Sequence, residues 1–264
     1  MARANRHYLP GYVWHITHRC HKREFLLKFS KDKKRWLYWL FEAKKRYGLS
    51  ILNYTVTSNH IHLLVFDNEK DTIPKSIQLL AGRTAREFNQ RKKRKGAFWE
   101  DRYHATAVQT GEHLIRCLVY IDLNMVRTGK IQHPSAWEYG GYNEIQSHKQ
   151  RYSLIDRYRL MKLLGINDDE LYSAHAMWVE KTLQNGSTCR NPLWTESIAV
   201  GDEEFILSTK EQLGGKAIGR TPVETDSGFE LKEASAAYNP LFTAEKVGLS
   251  LKNSYHWEYS LFNT

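Results

Sequence analysis

Cysteine is scarce: three residues in 264, Cys20, Cys117 and Cys189, far apart and without a Cys-x-x-Cys pair. That argues against a disulfide framework or a thiolate zinc site and suits a reducing compartment. Long apolar runs are also missing, none approaching the roughly 18 residues of a spanning helix, so no membrane role is expected. The start, Met1-Ala2-Arg3-Ala4-Asn5-Arg6, is basic with no apolar core after it and does not read as a signal peptide. There is no Gly-x-x-x-x-Gly-Lys-Ser/Thr phosphate loop, no internal repeat and no low-complexity tract. Acidic residues are short in the first half only. Residues 1–150 hold 27 Lys and Arg against 13 Asp and Glu, net +14, whereas residues 151–264 hold 12 against 16, net −4. A basic body with a mildly acidic appendage suggests nucleic-acid binding in the former.

What is present centres on Asn59-His60-Ile61-His62-Leu63-Leu64-Val65. It reads as a strand, so His60 and His62 share one face and Ile61 and Leu63 the other. Two imidazoles on a rigid strand are two-thirds of a metal site. About sixty residues on, 110–128 reads as a helix, with Thr110 as N-cap and Gly129 as the stop. Leu114, Leu118, Ile121 and Met125 form its apolar stripe, and His113, Arg116, Tyr120, Asn124 and Arg127 fall opposite. Asp122 lands at the edge of the apolar face without explanation. Tyr120 and Asn124 are neighbours at i and i+4 and could supply a nucleophile and a third metal ligand.

Three separated motifs now agree in order: Asn59 to Leu64, then Phe98-Trp99-Glu100-Asp101-Arg102-Tyr103, then Tyr120-Ile121-Asp122-Leu123-Asn124-Met125-Val126-Arg127. Over about residues 8–145 the chain resembles the single-tyrosine transposases of the HUH (His-hydrophobic-His) nuclease superfamily, particularly the REP-associated tyrosine transposases. Many relatives have Pro where this chain has Ser58 and Met125, positions that carry no chemistry. The resemblance implies Tyr120 as nucleophile, His60, His62 and Asn124 as ligands of Mg²⁺ or Mn²⁺, and short palindromic repeats as substrate.

In chain order, 12–17 reads as a strand, 30–47 as a helix ended by Gly48, 51–56 and 59–66 as a hairpin, and 74–90 as a helix. His15-Ile16-Thr17 raises the reading of a two-His-x-Thr phosphodiesterase, but the second triplet would be His62-Leu63-Leu64, which lacks the hydroxyl. His18, Cys20 and His21 lack a second ligand pair at zinc-finger spacing and read as a loop edge. Arg83, Arg86, the run Arg91-Lys92-Lys93-Arg94-Lys95, and Arg102, Arg116 and Arg127 are the candidate phosphate contacts. Phe98 and Trp99, interleaved with cations, serve either base stacking or the core. A fourth strand follows at 105–109.

The fold class expected is α+β: a ferredoxin-like split βαβ core, an antiparallel sheet with helices, plus the tyrosine-bearing helix. A seam with His133-Pro134 and Gly140-Gly141 divides a 1–150 nuclease domain from a mainly helical 151–264 extension of unknown role. Helices are read at 154–164, 169–183 and 203–213, a linker at Asn185-Gly186-Ser187, and turns over 219–230. The function expected is a metal-dependent single-stranded DNA endonuclease and strand transferase, acting at hairpins as a monomer or homodimer, cytoplasmic and nucleoid-associated. The alternative is a non-catalytic ferredoxin-like nucleic-acid-binding protein, a domesticated transposase.

Overall fold

β-Branched and aromatic runs broken by Gly and polar turns give the first strands, and 3.6-residue apolar spacing gives the helices between them. The computed structural model describes residues 9–147, 151–186, 190–226 and 228–232. Along the chain β1 is Val13–Arg19, α1 Ser30–Tyr47, β2 Ser50–Val56, β3 His60–Phe66, α2 Thr72–Arg91 and β4 His104–Val108. These strands pair antiparallel in the order β2-β3-β1-β4, the split βαβ plan expected. The α+β class is therefore observed.

The register decides which side chains meet. Thr17 lies opposite His62, Arg19 opposite His60 and His15 opposite Leu64, so His15, Thr17 and Arg19 share the face of His60 and His62. On β2 this face carries Asn53 and Thr55. A helix, α3 (Glu112–Asp122), lies on it: Asn53 Nδ2 donates to the Leu118 carbonyl at 3.3 Å and to Asp122 Oδ1 at 3.0 Å, and Thr55 Oγ1 donates to the Ile121 carbonyl at 3.1 Å. The opposite face carries His18, whose ring stacks on Trp99 with centroids 4.0 Å apart, while Trp99 Nε1 donates to the Ala81 carbonyl of α2. Helix α1 pairs with α2 through Arg35 and Glu87 at 2.5 Å.

The predicted single helix over 110–128 is two segments. After α3 the chain turns tighter at Leu123 (φ −77°, ψ 3°) and continues as α4, Asn124–Arg127. The Leu123 amide still bonds to Val119 and that of Arg127 to Leu123, so the helical course is kept. The N-cap is Gly111 at φ +75°, ψ −132°, not Thr110; that left-handed conformation suits glycine. Gly129, at φ +66°, ends the segment as expected.

The described part of the extension contributes α5 (Tyr142–Gln146, before the expected seam closes), α6 (Arg157–Leu164), α7 (Asp168–Gln184), α8 (Leu193–Glu196), β5 (Ser197–Gly201), α9 (Glu203–Leu213), β6 (Pro222–Thr225) and β7 (Gly228–Lys232). Helices dominate it, but three strands were not anticipated. β5 pairs parallel with β4, and the sheet runs β2-β3-β1-β4-β5-β7-β6. The turn-like 219–230 is largely the β6–β7 hairpin. Strands of four and five residues bounded by Pro and Gly show too little alternation to read as strands; pairing with β5 supplies the missing order. Sheet and core thus cross the 130–150 stretch. Gly141 sits where an added Cβ would lie 2.2 Å from Asn53 Oδ1, so this turn is pressed onto β2. By compactness the chain divides into Met1–Glu233 and Ala234–Thr264, the latter outside the described residues, as are Ser187 of the expected linker and Cys189. Cys20 and Cys117 are buried free thiols. Among the described residues no helix is long and apolar enough to cross a membrane.

Candidate active site

The turn before β3 is built around Thr57. Its Oγ1 accepts from the His60 amide at 3.1 Å and the Asn59 amide at 3.3 Å, and donates to the His60 carbonyl at 2.8 Å. This fixes where β3 begins and hence which face its histidines take. His60 is half-buried and His62 is 2% exposed; their ring centroids are 5.0 Å apart. From the helical side Asn124 Nδ2 lies 2.9 Å from His62 Nε2, and the Tyr120 ring stands edge-on to His62 at 5.8 Å. The Arg127 guanidinium sits 4.0 Å over the Tyr120 ring and donates to the Tyr120 carbonyl at 2.6 Å. The fold therefore brings Tyr120, His60, His62, Asn124 and Arg127 to one place.

Two further groups complete the cluster. His15 Nε2 lies 2.9 Å from His62 Nδ1, and His15 Nδ1 lies 2.8 Å from the Trp194 carbonyl of α8. The Trp194 ring stands 6.2 Å from that of Tyr120. Asp122, unexplained by helix periodicity, is buried against His175 of α7, Oδ2 to Nε2 at 2.8 Å, and accepts from Asn53 on its other oxygen. It ties the tyrosine helix to the sheet on one side and to α7 on the other.

Burial sets the charge state. It lowers His15 to about 3, although the bond to the Trp194 carbonyl works the other way, and it lowers His60 to about 4, helped by the Arg19, Arg127 and Arg190 cations. His62 is held well below 6.5 by burial, then by His60 and His15. All three imidazoles are neutral at neutral pH, as ligation requires. Burial raises Tyr120, with Arg127 and Arg190 opposing it, so the resting side chain is a phenol.

The buried histidines predict acid sensitivity. Unfolded, His15 protonates near 6.5 and folded only near 3, so stability present above pH 6.5 is lost as pH falls toward the folded value. At about 1.36 kcal/mol per unit, His15 alone costs about 2 kcal/mol on acidification to about pH 5. Calorimetry of metal-free protein should show the melting temperature falling from about pH 7 to about pH 5, and falling less for His15→Gln. Equal slopes for the two proteins would remove His15 as the source.

Among the described residues no three His, Cys, Asp or Glu side chains form a metal cluster. The donors at hand are instead two imidazoles and an amide, and they fit a divalent cation on three counts. His60 Nδ1 is taken by Asn59 Oδ1 at 2.7 Å and Thr57 Oγ1 at 3.0 Å, leaving its Nε2 for ligation. His62 Nδ1 is taken by His15, and its Nε2 faces Asn124. Asn124 Oδ1 is buried without a partner among the described residues. A buried amide oxygen left without a partner beside the two imidazoles is costly unless something binds there.

The candidate phosphate contacts divide. Arg83, Arg86 and the 91–95 run lie on α2 and its exit, across the sheet from the histidines. Arg83 stacks on Trp39 and Lys92 on Phe29, while Arg91 pairs with Asp32 and Arg94 with Glu24 at 3.5 Å. Arg116 pairs with Glu112 at 2.5 Å. Arg86, Lys93, Lys95 and Arg102 are exposed. Of the ten, Arg127 contacts the tyrosine–histidine cluster, through Tyr120. Phe98 is buried and Trp99 partly so, packed with Phe88 and His18. Sequence reasoning missed His15, Arg19, Trp194 and Arg190. For His15 and Arg19 a signal existed, since both alternate with Thr17 on one strand face.

The candidate site is a two-histidine strand with a tyrosine–asparagine helix packed on the same face of a split βαβ sheet. Residues 10–124 match the model of the family described as Transposase IS200 like, a segment that contains His60, His62, Tyr120 and Asn124 and stops short of Arg127. The resemblance carried by the three sequence motifs holds for this segment. Similar solved structures include a REP-associated tyrosine transposase bound to a REP hairpin, 18% identical, covering 55% of this chain and 85% of that one with a TM-score of 0.47. Another is the "putative transposase" from Deinococcus radiodurans R1, 17% identical, covering 48% of this chain and 97% of that one with a TM-score of 0.33. No curated protein matches.

Proposed function

We propose that this protein is a metal-dependent single-stranded DNA endonuclease and strand transferase of the transposase type, working through a 5′-phosphotyrosine. The observation that carries the reading is the convergence of the Tyr120 ring, His62 Nε2 and the partnerless Asn124 Oδ1 in one chain. His60, His62 and Asn124 would hold Mg²⁺ or Mn²⁺, with no other cofactor required. Bound there, the ion supplies polarisation of a non-bridging phosphate oxygen and stabilisation of charge at phosphorus.

The chain's own residues do the rest. Arg127, stacked on the Tyr120 ring, opposes the burial that keeps the hydroxyl protonated and favours the phenolate. Tyr120 Oη bonds to phosphorus as the bond to the 3′ oxygen breaks; the 3′ hydroxyl leaves with a proton and the 5′ side stays on the tyrosine. Reversal by another 3′ hydroxyl transfers the strand without a nucleotide cofactor. Because all four side chains come from one chain, we propose action in cis. Residues 1–150 carry the chemistry in this reading, and hairpin or palindromic DNA is the substrate. Exposed cations on α2 would then track the DNA flanks rather than the scissile phosphate.

The test is incubation with a hairpin-containing single strand and Mn²⁺, followed by a denaturing gel for a protein–DNA adduct. A chelator should abolish the adduct. His60→Ala and His62→Ala should each lower cleavage by at least about 100-fold and Asn124→Ala by about 10-fold, since water can partly replace an amide oxygen. Cleavage indifferent to the chelator would sink the metal reading.

A further inference from the structure

His15 is fully buried, reads as neither core nor ligand in the sequence, and has both ring nitrogens engaged. We infer that His15, held by the Trp194 main-chain carbonyl, is a positioning residue that fixes His62 in the tautomer with a bare Nε2, the form able to bind a metal ion. The inference rests on the proposed function, in which His62 is a ligand.

A carbonyl only accepts, so the 2.8 Å contact to Trp194 O requires a hydrogen on His15 Nδ1. The rings beside it are His62, stacked at 5.1 Å, and the Tyr120 edge at 6.1 Å, and the nearby charges acting on it, His104 and Arg127, are basic. None of these carries a negative charge, so nothing there supports an imidazolium, and Nε2 of the neutral ring is a lone pair. The 2.9 Å contact to His62 Nδ1 then requires that His62 carry its hydrogen on Nδ1 and leave Nε2 bare. The 2.9 Å contact from Asn124 Nδ2 agrees, because an amide nitrogen donates and needs an acceptor. Three independent distances give one consistent proton order: Asn124 N–H to His62, His62 N–H to His15, His15 N–H to Trp194.

The last acceptor in this chain of hydrogen bonds comes from the extension. Trp194 lies seventy residues beyond the 10–124 segment that matches the transposase family. Its carbonyl is placed by the extension's docking on β4: Thr106 Oγ1 donates to the Ser197 carbonyl at 2.7 Å and approaches Trp194 O at 3.4 Å, and His104 Nε2 lies 2.9 Å from Ser197 O. The extension therefore reaches the site through a backbone oxygen and one histidine. Outer hydrogen bonds of this kind orient ligating histidines and typically alter metal affinity about 10–100-fold.

The experiment uses the full chain with ¹⁵N-labelled histidine, free of metal and DNA. Long-range ¹H–¹⁵N correlations should show His62 with its hydrogen on Nδ1, and its signals are assigned by their loss in His62→Ala. A wild-type His62 carrying its hydrogen on Nε2 overturns the inference without any further variant. Mn²⁺ affinity, read by EPR without DNA, should fall about 10–100-fold in His15→Leu, with the His62 tautomer becoming mixed. His15→Gln, whose amide can both accept from His62 and donate to Trp194, should bring the affinity back to within about threefold. A His15→Leu protein with unchanged affinity and an unchanged tautomer overturns the relay while leaving the proposed function intact. A wild type that binds no Mn²⁺ overturns the metal reading instead, and the His62 tautomer still decides the relay.

Discussion

Tyr120→Phe is expected to abolish the covalent protein–DNA adduct and to lower strand cleavage by at least about a thousandfold, the scale seen when a nucleophile is removed from an otherwise intact site. The substitution is close to isosteric. The ring is 8% exposed and packed beside Trp194, His15 and His62, and phenylalanine keeps all of that contact area. Arg127 still finds a π face 4.0 Å away and still donates to the residue 120 carbonyl. Only the hydroxyl goes. In the proposed function, binding of single strands would draw on phosphate contacts spread over many cations, so affinity should stay within about twofold of wild type. The paired measurements are a denaturing gel for the adduct and a binding titration at fixed salt. An adduct that persists in Tyr120→Phe would move the nucleophile to another tyrosine and leave this cluster without its central role.

The candidate site was partly legible because its information is local. His60 and His62 share a face by strand alternation, and Tyr120 and Asn124 are neighbours by helix periodicity; neither inference needs the fold. What could not be read depends on partners far along the chain. Asp122 looked misplaced on its helix because His175, which satisfies it, comes 53 residues later. His15 suggested a phosphodiesterase triplet because its meaning lies in the register that sets Thr17 against His62 and in a carbonyl 179 residues away. Arg91 and Arg94 looked like free cations in a run of five, yet Asp32 and Glu24 on other segments engage them. The strands of the extension escaped for a related reason. A four-residue strand has too few positions for alternation to stand out, and its stability comes from its neighbour in the sheet.

The same long-range bonds give the second large effect: a chain ending after residue 150 is expected not to fold cooperatively. Truncation there removes β5, which pairs Ala199 with Ala107 and Val200 with Val108, and so turns buried β4 into a bare apolar edge. It removes Trp194, leaving His15 Nδ1 buried with no acceptor, at about 1–3 kcal/mol. It removes His175 from Asp122, and stranding one partner of a buried ionisable pair costs about 3–5 kcal/mol. Leu160, Leu171, Ile206 and Leu231, all at most 1% exposed, leave the shared core as well. At about 1.5–3 kcal/mol for each fully buried side chain, these losses together come to about 10–20 kcal/mol, on the scale of the roughly 5–15 kcal/mol by which a domain is stable. Circular dichroism should therefore show no sigmoidal thermal transition for 1–150 where the full chain shows one, and its DNA binding should lose any preference for hairpin over unstructured strand. A truncated chain that melts sharply, within about 5 °C of the full protein, would mean that the extension merely leans on a body able to stand without it. In that event the Trp194 carbonyl could be withdrawn without unfolding anything, and the His62 tautomer in the truncated chain would show directly what the extension contributes to the site.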